Sequence, residues 1–282
     1  MKILIIDRDP EASQLLSSKL IAKGHEVLEE RVKSEAIDKI SADGPFDVIF
    51  IDPSPMKDAS AIILNIRRAI SSYPYVVLVT GDENLDIESA LVMGCNNFIR
   101  KPLDNQDVEE KLENAQNLID MVVSIGDESE DFPSAGGVIA KSAFNQLFLS
   151  AIDRGSRYSE LAHVLSIGIK NYSEIESRDG PYGAEFAISK LAHHLVRLRR
   201  QSDIIGQTGK NEYSLLLQRI QHQNEPREAA SRFAAALEEL DDIASATSTP
   251  IEIYVHLTSL PLGRNEPEYL LIKEGQTPAS AG

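Results

Sequence analysis

Short apolar runs alternate with helical patterns along the first 120 residues, and this alternation constrains the fold more than any other feature. Five strand candidates lie in this region: short apolar runs at 3–6, 48–51, 76–79 and 98–99, and a weaker candidate at 25–28. Helical patterns separate them: 10–23, 34–42, 59–71 and 85–93. Strands and helices that alternate in this way predict βαβ units, and so an α/β fold with a doubly wound, five-stranded parallel sheet.

The residues just after the predicted strands are polar and form a restricted set. Asp7 follows the first strand, Asp52 the third, Thr80 the fourth and Lys101 the fifth. Ligands of open parallel sheets bind beyond the carboxyl ends of the strands. Phosphoryl transfer to a carboxylate needs a divalent metal at the acids, and a hydroxyl and a cation at the phosphoryl oxygens. The set therefore predicts phosphorylation of an aspartate.

With these residues in this order, residues 1–122 resemble the receiver domain of two-component response regulators, which has a flavodoxin-like fold. The resemblance implies that Asp52 is the phospho-acceptor and that Thr80 is the switch hydroxyl. It also implies that Phe98 is the switch aromatic residue and that Lys101 faces the phosphate. The partner implied for this domain is a sensor histidine kinase.

One position departs from the receiver pattern. The family has two adjacent acids after the first strand, whereas this chain has Asp7, Arg8 and Asp9. Mg²⁺ is expected on Asp7 and Asp52, but a guanidinium beside them would repel the ion and could pair with the carboxylate. The side chain of Asp9 should point elsewhere. Two alternatives follow: Mg²⁺-dependent phosphorylation, or a receiver fold kept for docking or dimerisation with a fixed Arg8–Asp52 ion pair.

A helix is predicted at 105–123, followed by an acidic linker at 123–137 that is rich in Ser, Gly and Pro. Apolar residues repeat along the helix at a heptad-like spacing: Val108, Leu112, Ala115, Ile119 and Val122. This stripe either packs on the sheet of its own domain or extends as a dimer helix. A homodimer is expected.

A second alternating region follows the linker. Strands are predicted at 162–169, 204–207, 213–218 and 251–257, and helices at 141–153, 183–200 and 227–240. A tight turn is predicted at 208–211, and the sequence Gly209-Lys210-Asn211-Glu212-Tyr213 runs from this turn into the next strand. With this order and register, residues 138–275 resemble a degenerate GGDEF domain of diguanylate cyclases, which implies an α/β fold with a mostly antiparallel central sheet. Residues 276–282 are predicted to be a flexible tail.

The resemblance also shows which catalytic groups the chain lacks. The family holds its metal ions with acids at the positions of Gly168 and Asn211, and neither residue carries a charge. A second strand acid is replaced by Lys170, and the glycine that approaches the phosphates is replaced by Lys210. Only Glu212 keeps an acid in the turn. We therefore expect no catalytic residues and no cyclase activity; an active cyclase would need metal acids from elsewhere.

Acids also stand at the two positions with which the family reads guanine, Glu176 and Glu185. Whether the pocket still holds GTP is left open by the sequence.

A second ligand motif of the family is retained. Arg200 and Asp203 have the R-x-x-D spacing of the inhibitory site, or I-site, which binds cyclic di-GMP. Arginine can bind a phosphate or a guanine edge, and aspartate can accept from guanine N–H groups. The resemblance adds Arg154, from a second protomer or site, and Arg232 on the following helix. The alternative is that Arg200 ends a basic helix and that Asp203 caps it.

The composition excludes several other classes. Lys and Arg number 28 against 44 Asp and Glu, which gives a net charge of −16. This balance argues against nucleic acids and anionic membranes as partners. The single cysteine, Cys95, excludes a disulfide framework, and no apolar run could span a bilayer. We expect a cytoplasmic protein that could be recruited to a cell site such as a pole.

These observations predict a catalytically inactive GGDEF response regulator. Its ligand would be cyclic di-GMP at the I-site, and its output would be a protein–protein interaction with an effector or localisation partner. The alternative is a ligand-independent scaffold in which both domains are degenerate. We expect exposed, unpaired Arg200 and Asp203 side chains if the receptor is correct, and side chains buried against the domain's own loops if the scaffold is correct.

Overall fold

The structure is a computed structural model that describes residues 1–56, 59–69 and 73–275. The chain divides into two compact units. The first comprises Met1–Asp120 with Ile152–Glu160 and Pro261–Gly263, and the second comprises the remaining residues. Within the described ranges, no helix combines the length and apolar character needed to cross a bilayer. The predicted tail at 276–282 lies outside the described residues.

The first unit contains a five-stranded parallel sheet with the order β2-β1-β3-β4-β5. Its strands are β1 (Lys2–Ile6), β2 (Glu26–Glu30), β3 (Val48–Ile51), β4 (Tyr75–Thr80) and β5 (Asn97–Arg100). Its helices are α1 (Pro10–Ala22), α2 (Ala36–Asp43), α3 (Ala59–Ala69), α4 (Ile87–Val92) and most of α5 (Asn105–Gly126). The predicted doubly wound α/β fold is confirmed.

The central strands β3 and β4 have no polar face because both of their faces are buried. Every residue of β3 and β4 is buried, as expected where helices cover both faces of a parallel sheet. Leu4, Ile49 and Leu78 pack in one cluster with Ile63 of α3 and Ala90 of α4. Because side chains alternate along a strand, the intervening residues face the opposite side.

The apolar stripe on α5 is buried where the helix begins. Val108, Leu112 and Ala115 are almost inaccessible to solvent. This agrees with the alternative in which the stripe packs within its own domain. The helix continues to Gly126 and so extends into the predicted linker. Further on, Asp131 accepts hydrogen bonds from the backbone N–H and the hydroxyl of Ser142, at 3.1 and 3.0 Å. The dimer-helix alternative stays a prediction.

The second unit contains an antiparallel sheet with the order β10-β9-β6-β8-β7, and β11 also pairs with β9. Its strands are β6 (Ala162–Ile169), β7 (Ile204–Gly209), β8 (Glu212–Leu217), β9 (Ile251–Leu260), β10 (Arg264–Asn265) and β11 (Tyr269–Lys273). Its helices are most of α6 (Lys141–Tyr158), then α7 (Tyr172–Leu198) and α8 (Glu225–Glu238), with a 3-10 turn at Asp242–Ala244. The predicted mostly antiparallel sheet is confirmed.

Two features of this unit differ from the sequence prediction. Helix α7 begins at Tyr172, eleven residues before the predicted start, and it is kinked at Gly180, whose φ is 83°. Glycine tolerates this left-handed conformation, and Pro181 then begins the second half with a preset φ. Strands β10 and β11 were not predicted. Tyr269, Leu270 and Ile272 of β11 are exposed, so this edge strand lacks the alternation that predicts a half-buried strand.

Candidate functional site

The carboxyl ends of β1 and β3 hold two acids that share one cation. Lys101 follows β5, and its Nζ lies 2.8 Å from Asp7 Oδ2 and 2.7 Å from Asp52 Oδ2. The side chains of Asp7 and Asp52 are only 5% and 12% exposed. The structure therefore brings together three of the predicted receiver residues in a nearly buried cluster.

A serine completes the contacts of Asp52. Both the backbone N–H and the hydroxyl of Ser54 donate to Asp52 Oδ1, at 2.9 and 2.5 Å. Burial would raise the pKa of Asp52, but the hydrogen bonds from Lys101 and Ser54 outweigh it, and the pKa lies below the usual value. Asp52 is therefore a carboxylate at neutral pH.

The predicted Arg8–Asp52 ion pair is wrong. Arg8 is exposed, and among the described residues the cation on Asp52 is Lys101. Lys101, just after β5, reaches the acids with a side chain that is 21% exposed, whereas Arg8, just after β1, is exposed. Asp9 does point elsewhere, because its Oδ1 accepts from the backbone N–H groups of Glu11 and Ala12 and caps α1.

The remaining receiver residues lie on the neighbouring strands. Thr80 is buried at the end of β4, where its hydroxyl oxygen accepts from the backbone N–H of Asp82 at 3.0 Å. Phe98 is half-buried on β5, with the guanidinium carbon of Arg100 5.0 Å from its ring centroid. These positions agree with those expected for the switch residues, whose roles stay predictions.

Lys101 already contacts part of the oxygen set that a Mg²⁺ ion at these acids would use. Mg²⁺ demands an octahedron of oxygen ligands, but one oxygen of each acid, Asp7 and Asp52, is already held by Lys101. The described part of the chain contains no group of three or more acids, histidines or cysteines that could hold a metal ion. Mg²⁺ binding in the receiver stays a prediction.

In the second unit, the space beside Gly168 on β6 is filled by a tyrosine. A Cβ atom at this position would lie 2.6 Å from Tyr254 Oη and 2.6 Å from the backbone oxygen of Asn211. Tyr254 is opposite Gly168 in the register of β6 and β9. The position where the family resemblance expects a metal-binding acid therefore has no room for any side chain.

The hydroxyl of Tyr254 begins a network of hydrogen bonds across the sheet. It donates to Glu212 Oε2 at 2.7 Å, and Thr208 donates to Glu212 Oε1 at 2.5 Å. The Thr208 hydroxyl also lies 2.9 Å from that of Ser214. Burial, followed by the nearby carboxylate of Glu212, raises the pKa of Tyr254 far above its usual value. Both oxygens of Glu212, the first residue of β8, are thus occupied by protein donors.

The side chain of Lys210 crosses from the turn to α7. Its Nζ lies 2.7 Å from Glu176 Oε1 and 5.1 Å from the ring centroid of Tyr172. Lys170 lies after β6, with its Nζ 3.6 Å from Glu268. An ion pair therefore joins Lys210 and Glu176, the positions at which the family resemblance predicts contacts with phosphate and with guanine.

A cavity of about 420 Å³ lies beside the turn between α7 and β7. Three arginines and two acids are among the residues that line it: Arg200, Arg219, Arg232, Asp203 and Glu225. The structure thus brings together three of the four residues predicted for the I-site. Arg154 is absent from this lining, and its Nε lies 3.1 Å from Glu160. Its contribution from a second protomer stays a prediction.

The two residues of the R-x-x-D motif have different surroundings. The side chain of Arg200 is 53% exposed, and its guanidinium donates to Glu225 Oε1. Asp203 is buried, and its Oδ2 accepts from the backbone N–H of Arg200 at 3.0 Å. The receptor was expected to leave both side chains exposed and unpaired, and the scaffold to bury both. Neither expectation is met in full, because Arg200 is exposed but paired, and Asp203 is buried and held by its own turn.

Three residues of these sites were not found from the sequence. Tyr254 and Gly168 are 86 positions apart, and only the strand register joins them. Arg219 lies in a loop with a φ of 56°, and no pattern marks it. Glu225 had a usable signal, because acids are favoured in the first turn of a helix, but nothing indicated that it would face Arg200.

The model of the family described as "Diguanylate cyclase, GGDEF domain" matches residues 134–276, just over half of the chain. The chain belongs to the GGDEF family. Its N-terminal part is a CheY-like receiver domain. Chemotaxis protein CheY1 of Helicobacter pylori is 28% identical over 117 residues, which cover 40% of this chain and 94% of CheY1. The regulatory protein NisR of Lactococcus lactis is 31% identical over 113 residues, covering 40% of this chain and 48% of NisR.

Solved structures also resemble the chain. A two-component response regulator from Clostridium difficile is 29% identical, with a TM-score of 0.37, and the match covers 41% of this chain and 95% of that one. A GGDEF domain from Pseudomonas aeruginosa is 20% identical, with a TM-score of 0.36, and the match covers 43% of this chain and 70% of that one.

Proposed function

We propose that this response regulator is a catalytically inactive GGDEF protein that binds cyclic di-GMP beside Arg200 and signals through protein–protein interactions. The observation that carries the proposal is the cavity of about 420 Å³ lined by Arg200, Asp203 and Arg232. Cyclic di-GMP carries two phosphates and two guanine edges. Guanidinium groups bind both kinds of acceptor with paired hydrogen bonds.

The former catalytic region supports the absence of turnover. Neither Gly168 nor Asn211 can supply a carboxylate, and the oxygens of Glu212 are taken by Tyr254 and Thr208. Nucleotidyl transfer depends on metal ions that neutralise the phosphate charge. Without acids to hold these ions, the domain would retain a ligand site and lose its reaction.

The receiver supplies a second input in this proposal. Asp52 is the candidate phospho-acceptor, and a sensor histidine kinase is the candidate donor. Phosphorylation would replace the carboxylate that Lys101 now holds. If both inputs favour the same arrangement of a homodimer, each changes the response to the other by the same coupling free energy. The output would be recruitment of an effector or localisation partner.

The scaffold alternative is favoured by one specific observation. Arg200 already has an anionic partner within its own domain, Glu225. A domain that needs no ligand could use this pair to hold α8 against the turn after α7. Titration with the ligand separates the two functions.

We expect isothermal titration of cyclic di-GMP into the full chain to show saturable binding that Arg200→Ala weakens by about 10- to 100-fold, because a charged hydrogen bond is lost. Arg197→Ala is the matched control, since Arg197 is exposed in the last turn of α7, three residues before Arg200, and is absent from the cavity lining. This control should bind like the wild type. Absence of binding to the wild type, both by calorimetry and by equilibrium dialysis, would leave the scaffold.

A further inference from the structure

The ion pair between Arg200 and Glu225 lies inside the cavity where the ligand is proposed to bind. Glu225 opens α8, and its side chain is only 13% exposed. One carboxylate oxygen accepts from Arg200, and the other accepts from the backbone N–H of Gln221 at 2.5 Å. The carboxylate is therefore held in place by two donors, one of which is the ligand-binding arginine.

The other acid of the cavity is engaged differently. Asp203 Oδ2 accepts from the backbone N–H of Arg200, and the Ser202 hydroxyl lies 3.4 Å from Asp203 Oδ1. The guanidinium of Arg199 donates to the backbone oxygen of Asp203. These contacts shape the turn and leave the Arg200 guanidinium untouched. Among the described residues, Glu225 is thus the carboxylate that neutralises the Arg200 side chain.

The charge of Glu225 is maintained at neutral pH. The hydrogen bond from Gln221 and then that from Arg200 lower the pKa of Glu225 below its usual value. A phosphate that approaches Arg200 would therefore meet a carboxylate that occupies the same donor. Like charges forced side by side in an interface oppose binding.

We propose that Glu225 is an internal competitor for Arg200, so that cyclic di-GMP displaces this carboxylate from the guanidinium when its own phosphate or guanine edge binds there. The inference rests on the proposed function. In the absence of ligand, Glu225 keeps the guanidinium ordered and neutralised. With ligand present, this exchange sets the ligand concentration at which the receptor responds. Glu225 therefore lowers the affinity for cyclic di-GMP but is not required for binding.

The test compares two charge-matched variants of the full chain. Glu225→Gln keeps an acceptor for the Gln221 N–H but removes the charge, and we expect it to bind cyclic di-GMP about tenfold more tightly than the wild type. Glu228→Gln removes the same charge from an exposed residue one turn further along α8. It corrects for the effect of net charge on an anionic ligand and should bind within about twofold of the wild type.

A double-mutant cycle separates the pair from its surroundings. In the Arg200→Ala background, Glu225→Gln should change the dissociation constant by less than about twofold, because the contested donor is gone. Equal affinities for Glu225→Gln and Glu228→Gln would overturn the competitor while leaving the receptor intact. Failure of every variant to bind would overturn the proposed function, and the competitor with it.

Discussion

Replacing Gly168 with a larger residue will destabilise the second unit instead of restoring a metal site. The Cβ of Gly168→Ala would lie 2.6 Å from Tyr254 Oη and from the backbone oxygen of Asn211. That oxygen accepts from the backbone N–H of Ile169 at 2.9 Å, so it cannot retreat without breaking a ladder hydrogen bond. We expect the free energy of unfolding to fall by about 3 kcal/mol, the upper end of the cost of overpacking.

The measurement is native-state amide hydrogen exchange of β6 and β8, which reports the opening of this unit separately from the receiver. Gly209→Ala is the matched control, since the nearest atom to its Cβ would be at an ordinary 3.5 Å. We expect the control to be stabilised by up to about 1 kcal/mol, because alanine restricts the unfolded chain. Equal protection in the two variants would contradict the close contact at Gly168.

A cycle with Tyr254 identifies the obstructing side chain. Tyr254→Ala removes the ring but leaves a void, and Gly168→Ala partly fills that void. The double variant should therefore be more stable than the sum of the single changes by about 1 kcal/mol or more.

Because Tyr254 occupies the space beside Gly168, restoring both acids with Gly168→Asp and Asn211→Asp should still form no cyclic di-GMP from GTP. Product above the background of the wild type would contradict the closed site.

The parts of the fold that were predictable are those governed by local pattern. The buried runs of β3 and β4 and their spacing are consistent with only a few arrangements, because connections between parallel strands are right-handed and covered by helices. Asp7, Asp52 and Lys101 could be placed at one edge for the same reason. The kink at Gly180 obscured the start of α7, since Pro181 in a helical pattern normally marks a break.

The contacts that decide the chemistry were less accessible to sequence reasoning. An Arg8–Asp52 ion pair was one of two alternatives, because Arg8 replaces an acid beside Asp7, but the ammonium of Lys101 holds Asp52 instead. Likewise, the ion pair between Glu225 and Arg200 depends on where α8 begins relative to the turn after α7. Such pairs are set by tertiary packing, which a single sequence does not encode in any periodic pattern.

Removing the ammonium of Lys101 will destabilise the receiver, and the loss will depend on pH. Lys101→Met leaves Asp7 and Asp52 nearly buried without a cation. Breaking one partner of such a cluster costs about 3 kcal/mol at neutral pH, because buried charges lose their compensation. Lys23→Met is the matched control, since its partner Glu109 and Lys23 itself are both about half exposed. Such a surface pair is worth less than about 1 kcal/mol.

The pH dependence has a definite sign. In the wild type the pKa of Asp52 is lowered, so its stabilising contribution is present above the unfolded-state pKa of about 3.9 and is lost as the pH falls through the folded-state pKa. Without Lys101, burial still disfavours the charged form of Asp52, and the hydrogen bonds from Ser54 are what still lowers its pKa. Relative to the wild type, the free energy of unfolding of the variant therefore decreases as the pH rises above about 4. Amide exchange of β1 and β3 should therefore show that the variant is less protected than the wild type, with the largest difference at pH 7 and a smaller one toward pH 4. An equal loss of protection at both pH values would mean that Lys101 stabilises the receiver by packing alone.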